Sequence, residues 1–371
     1  MLRSDYGRLF LSRPWAGLAI AFAVAVVGFG LAGVSRTAGV VVLIFSGLLA
    51  VGALMALWRV GRATPPPGKL YSVNGVSVHV LAEGEAKGVH PVIWVAGGWG
   101  EGLIMHHLHR VMREETRSIL FDRTGSGWTG PARGAVTITS ETRQLKAALE
   151  QAGEQGPFVL AGHSFGGLFC ANFTHRYPEL VAGVVLLDST PPWNVAFAGE
   201  LSLGVVIRKA WWGALAAHFG LHRLVEPEID DPASDLAREL QDVADIVNWH
   251  SVQPKSLLAE ASVFRNTMAN PFELVIGKGA LGDLPLVLMA QNPSPEELTE
   301  MRAQIGQNLG LSEIQVQNLF DGLRDSNDQQ VALSRKGRLV TMPEGSSHMY
   351  PYEHPGMVLD EVRKMIAGKT P

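Results

Sequence analysis

The chain has 371 residues, of which 47% are hydrophobic and 18% charged, so it is neither a disordered chain nor one small domain. A single cysteine, Cys170, excludes a disulfide framework and any multi-cysteine metal cluster. The net charge of −4 offers no basic surface for nucleic acid.

The apolar excess lies at the N-terminus. No charged residue occurs from Pro14 to Ser35 or from Thr37 to Trp58. Each run reaches the roughly 20 apolar residues that cross a bilayer as a helix. Spans are therefore expected at about 15–34 and 38–58, joined by Ser35-Arg36-Thr37, within an anchor covering 1–62. Trp15 and Trp58 stand at the outer ends, where amphipathic rings favour the interface. Gly28, Gly30, Gly33, Gly47 and Gly52 would let the helices approach closely. Arg3, Arg8 and Arg13 precede the first run and Arg59, Arg62 and Lys69 follow the second, with only Arg36 between. The positive-inside rule puts both ends, and the domain that follows, in the cytoplasm. A cleaved signal peptide is the competing reading, opposed by the second apolar run.

Residues 63–69, with Thr64-Pro65-Pro66-Pro67-Gly68, read as a stiff extended spacer. Asn74-Gly75 between β-rich segments then predicts a hairpin. Short apolar runs follow at Val92–Val95, Ser118–Phe121, Phe158–Ala161, Val184–Leu187, Leu286–Met289 and Leu339–Met342. Runs of this kind fit strands buried on both faces of a parallel sheet. Helical periods lie between them, at Ser140–Ala152, Gly166–Tyr177, Ser312–Leu323 and Pro355–Ile366. The pattern predicts an α/β class, an open and mostly parallel sheet flanked by helices, with its site at the carboxyl ends of the strands.

Phe158–Ala161 leads into Gly162-His163-Ser164-Phe165-Gly166-Gly167 and then a helical pattern. This is G-x-S-x-G between strand and helix, a turn that lifts the Ser164 hydroxyl over the sheet edge. The helix behind it offers N–H groups and a positive dipole end to an oxyanion.

The segment Pro157–Leu168, with Phe121-Asp122-Arg123-Thr124-Gly125-Ser126-Gly127-Trp128 and Gly345-Ser346-Ser347-His348, resembles the α/β-hydrolase superfamily. Within it the chain is similar to the proline-iminopeptidase-like and esterase-like branch. The resemblance covers about residues 70–190 and 284–367; it implies an α/β-hydrolase core over 70–190 and 284–371, with 191–283 as a helical cap. It implies a nucleophile at Ser164 and a base late in the chain. His348 fits, after the last strand and a small-residue loop; His354, before Pro355, is the competitor. The acid departs from the common family pattern, because Gln291 and Asn292 follow Leu286–Ala290. Asp188, directly after Val184–Leu187, is the first expectation and Glu296 the alternative. The loop Ala96-Gly97-Gly98-Trp99-Gly100 replaces the common His-Gly opening. Gly98 and Phe165 are the expected backbone donors of the oxyanion hole.

Gly125-Ser126-Gly127-Trp128-Thr129-Gly130 matches G-x-G-x-x-G, but Pro131 follows and no helix start meets a pyrophosphate. Asp122 and Arg123 are expected to brace this loop instead. The insertion holds Trp193, Trp211, Trp212, Phe219 and Trp249; its stretch Leu201–Leu221 suits core or a bilayer contact.

The expected activity is hydrolysis of carboxylic esters by a membrane-anchored serine hydrolase, with no metal and no organic cofactor. Its partners would be a small acyl substrate of lipophilic character and the lipid bilayer. A peptidase or amidase on the same triad is the alternative, with Glu226, Glu228 and Asp230 as candidates to capture a peptide amine. A non-catalytic membrane-bound protein retaining the fold is the other.

Overall fold

A computed structural model describes residues 10–191, 199–221, 234–270, 274, 277–309 and 311–369. Trp193, Glu226, Glu228 and Asp230 lie outside them. Two apolar helices, α1 (Ala16–Ala32) and α2 (Arg36–Val60), form an N-terminal hairpin. Ser35 turns the chain, its hydroxyl accepting from Ala38 N–H as the N-cap of α2. Helix α2 has 25 residues, among them an 18-residue stretch with a mean hydropathy of 2.7, and is long and apolar enough to cross a membrane. Helix α1, with 17 residues, is shorter than the expected span and stands at the lower limit of bilayer length.

Only part of the expected glycine face is used between the helices. Gly28 packs against Leu43, whereas Gly30 and Gly47 face open space. The tightest approach is at Gly39, where an added Cβ would stand 2.5 Å from Ala32. Gly52 instead meets the carbonyl of Phe219, and Gly17 that of His218. Both belong to the insertion, so the stretch expected as core or bilayer contact lies partly along the hairpin. The linker is not a free spacer either. Trp128 Nε1 donates to Thr64 O at 2.8 Å, and Gly68 N–H donates to His79 Nε2 at 3.2 Å.

The remaining chain builds one eight-stranded sheet. Strands β1 (Lys69–Val73) and β2 (Val76–Glu83) form the expected antiparallel hairpin. Its turn needs φ of 48° at Asn74 and 75° at Gly75, which these two residue types tolerate. Then come β3 (Val92–Val95), α3 (His106–Met112), β4 (Ser118–Phe121), α4 (Ile138–Ala152), β5 (Phe158–His163), α5 (Phe165–Arg176) and β6 (Val181–Leu187). The insertion supplies α6 (Gly199–Ala217), α7 (Asp235–Glu239), α8 (Ala244–Ser251) and α9 (Pro254–Ala269). The chain returns through β7 (Leu286–Ala290), α10 (Pro295–Leu309), α11 (Glu313–Val331), β8 (Gly337–Thr341), α12 (Tyr350–Glu353) and α13 (Pro355–Ile366).

Strand order is β1-β2-β4-β3-β5-β6-β7-β8, antiparallel through β2 and β4 and parallel thereafter. Strands β3, β4, β5 and β7 are buried along their whole length, as continuous apolar runs require when helices cover both faces. Strand β8 is the exception: it is an edge strand, and Leu339 stays 42% exposed. Chain order reverses between β3 and β5, so a crevice opens at their carboxyl ends. Pairing of Val95 with Gly162, His163 with Leu187 and Leu187 with Met289 sets the ends of four strands side by side.

Candidate active site

Ser164 sits between β5 and α5 with φ 53° and ψ −121°, a strained conformation for a residue with a side chain. Its backbone is fixed on both sides: Ser164 N–H donates to Leu187 O, and Ser164 O accepts from Gly167 and Thr190 N–H. The flanking glycines are steric necessities. A Cβ on Gly162 would lie 2.4 Å from Gly166 O, and one on Gly166 2.3 Å from Val95 O. Phe165 is the first residue of α5, so its N–H has no acceptor within the helix.

Asp188 ends β6 with φ 43°, a left-handed conformation that aspartate tolerates. Its Oδ2 lies 2.5 Å from His348 Nδ1, and its Oδ1 accepts from Gln291 N–H at 3.2 Å. The loop carrying His348 is held by Glu353, whose carboxylate accepts from Ser347 N–H and Oγ. Glu296 is exposed in the first turn of α10, away from this pair. His354 only joins α12 to α13.

His163 adjoins Ser164 on the turn. It is buried, its ring centroid lies 4.6 Å from that of His348, and its Nε2 donates to His348 O at 2.9 Å. The residue preceding Ser164 thus supports the imidazole from below. His107 makes a similar bond from Nε2 to Pro351 O at 3.0 Å. Burial pushes both imidazoles down to about 4, so both are neutral donors near pH 7. Their protons are bound more readily in the unfolded chain, at the ordinary value of 6.5. Stability is therefore complete above about pH 6.5 and falls as pH drops toward 4. Thermal denaturation should show Tm falling between pH 7 and 5, and His107→Gln, which keeps a donor, should flatten that fall.

Asp122 braces the glycine-rich loop as anticipated from its position. Its carboxylate accepts from Gly102 N–H at 2.8 Å and Trp128 N–H at 3.0 Å, and pairs with His79 Nδ1 at 2.8 Å. These contacts hold its carboxyl below the usual range despite burial. A Cβ on Gly127 would collide with this carboxylate. The next helix, α4, begins only at Ile138, so no helix N-terminus follows the G-x-G-x-x-G run.

The insertion closes over this end of the sheet. Ser256 Oγ donates to Gly125 O at 2.9 Å and Lys255 Nζ to Thr129 O at 2.8 Å. His250 Nδ1 lies 2.5 Å from Glu101 Oε2. Phe264 of α9 lies against Phe165, centroids 4.8 Å apart, and stacks on Trp99 at 5.9 Å. Gly98 has to be glycine here, because a Cβ would stand 2.8 Å from Phe264 Cζ. No sequence motif marks Glu260 or Phe264, although their spacing puts them on one face of α9.

A family model described as the alpha/beta hydrolase fold matches residues 90–225, the stretch that holds the elbow, β6 and the start of the insertion. The chain has the α/β-hydrolase fold. It is 24% identical to an uncharacterized Bacillus subtilis protein over 44% of its own length and 50% of that protein's. It is 32% identical to the lipase LipV of Mycobacterium tuberculosis over 30% of its length and 42% of the lipase's. It thus spans half or less of these curated relatives. The enol-lactonase of Burkholderia xenovorans LB400 shares its fold with a TM-score of 0.55 at 14% identity, covering 80% of this chain and 98% of the lactonase.

Proposed function

We propose that the protein is a membrane-anchored serine hydrolase that cleaves carboxylic esters through Ser164, His348 and Asp188. The observation that carries this reading is the 2.5 Å contact of Asp188 Oδ2 with His348 Nδ1, in a ring laid against His163, the immediate neighbour of Ser164 on its strained turn. Asp188 accepts a hydrogen bond from Nδ1–H of His348 and so keeps the proton on that nitrogen, which leaves the Nε2 lone pair to serve as base. Ser164 Oγ attacks the ester carbonyl as His348 Nε2 takes its proton. Negative charge gathers on the carbonyl oxygen, where the N–H groups of Phe165 and Gly98 receive it. The tetrahedral intermediate collapses, its C–O bond breaks, and the departing alcohol takes the proton from His348. Water then repeats the sequence on the acyl-serine and frees the acid. Nothing in these steps draws on a metal or cofactor.

A lipase and a lactonase among the similar proteins support an ester as substrate. Helix α2 supports the anchor: 25 residues span about 37 Å, more than a hydrocarbon core of about 30 Å. With α1 as the return span, the Lys/Arg bias places both ends and the hydrolase domain in the cytoplasm. An enzyme so tethered meets lipophilic esters where they concentrate.

A fluorophosphonate probe should label the wild type and not Ser164→Ala. Turnover of p-nitrophenyl esters over aminoacyl anilides is the expected preference. The reverse preference would make the enzyme a peptidase, and an unlabelled wild type would leave only a binding role.

A further inference from the structure

The donor expected at Gly98 belongs to a peptide unit whose opposite end is held by a charge. The Gly97–Gly98 bond is trans, so the Gly97 carbonyl and the Gly98 N–H point in opposite directions in one plane. Arg123 Nη2 donates to Gly97 O at 2.6 Å and lies 3.5 Å from Gly100 O. Fixing that carbonyl fixes the line along which the Gly98 N–H acts. The same Nη2 lies 2.6 Å from Glu260 Oε1 of α9. Arg123 and Glu260 are 4% and 2% exposed. One turn later on α9, Phe264 stacks on Trp99, whose φ of 65° is one that a tryptophan does not adopt without support. Core and cap thus grip the loop on either side of Gly98, Arg123 at the Gly97 carbonyl and Phe264 at the Trp99 ring.

We infer that Arg123 and Glu260 are positioning residues of the oxyanion hole, aiming and polarising the Gly97–Gly98 peptide, and that the hole is complete only with α9 seated. A guanidinium on the carbonyl draws electron density from the amide and makes its N–H a stronger donor to an oxyanion. The cap provides the counter-charge, since a buried guanidinium without a partner is strongly unfavourable. A buried ion pair is in itself weak evidence for stability, and replacing both partners by apolar groups is often tolerated. Here the guanidinium that Glu260 holds ends on the loop that carries the donor, where the transition state develops its charge. The inference rests on the serine-hydrolase reading.

The test uses the full chain in detergent with p-nitrophenyl esters. Turnover is expressed per Ser164 titrated with the fluorophosphonate, so misfolded protein does not count. Arg123→Met is expected to lower kcat by about 10²–10³-fold, the scale for loss of one oxyanion donor. KM should stay within about threefold, because a ground-state carbonyl gains little from the hole. Glu260→Gln should lose about tenfold and Glu260→Asp should recover part of it. Affinity for a trifluoromethyl ketone, which forms a tetrahedral adduct, should fall in step with kcat/KM across the series. The double variant Arg123→Met/Glu260→Met leaves no orphan charge, and should match Arg123→Met rather than the product of the single losses. Undiminished kcat per titrated site in Arg123→Met, or a loss confined to KM, overturns this inference alone. An unlabelled wild type overturns both this inference and the nucleophile assignment.

Discussion

Ester turnover should fall on the order of 10⁶-fold in Ser164→Ala, the scale seen when a triad nucleophile is removed. The argument is local. Ser164 occupies a backbone conformation that the flanking strand and helix impose and that its own side chain opposes. Such strain costs of order 1–3 kcal/mol and persists because the surroundings enforce it. Ser164→Gly therefore makes a paired expectation: equally inactive, but more stable, by about 1 kcal/mol in denaturant titration. An inactive variant with unchanged or higher stability identifies Ser164 as a group kept for chemistry. If Ser164→Ala turned over esters at the parental rate, the nucleophile would lie elsewhere.

Asp188→Asn should lower kcat by about 10⁴-fold with little change in KM. Asparagine fits the left-handed backbone at φ 43°, and its amide NH₂ can replace the carboxylate only by forcing the Nδ1 proton of His348 to the other nitrogen. The ring then presents a proton instead of a lone pair to Ser164. Glu296→Gln, on exposed α10, should be silent. The opposite result, a silent Asp188→Asn and an inactive Glu296→Gln, would transfer the acid to the other strand. Steady-state kinetics on the two variants decide the matter.

The elbow was legible because its signals are contiguous: a buried four-residue run, two glycines with no room for a Cβ, and a helix at once behind them. The contact between Asp188 and His348 spans 160 positions of chain and was foreseeable only through the order of strands. Arg123 and Glu260, 137 positions apart, carried no such signal. Arg123 reads from sequence as a brace of its own turn rather than of the Gly97 peptide, and a glutamate on an amphipathic helix reads as solvated surface until packing removes the water. The exposed edge strand β8 escaped notice for a related reason, since apolar content does not say which strand lies outermost. The apolar hairpin was plain from hydropathy, but which glycines touch was not: composition counts small residues, whereas the approach at Gly39 depends on helix rotation.

The contact of Gly17 and Gly52 with the backbone at His218 and Phe219 joins the N-terminal hairpin, the anchor proposed above, to the insertion that roofs the proposed site rather than to the sheet. Reactants dissolved in the same lipid would arrive by lateral diffusion in two dimensions, beneath a roof already oriented toward them. Encounter frequency would then follow their mole fraction in the leaflet, not their concentration in the surrounding water.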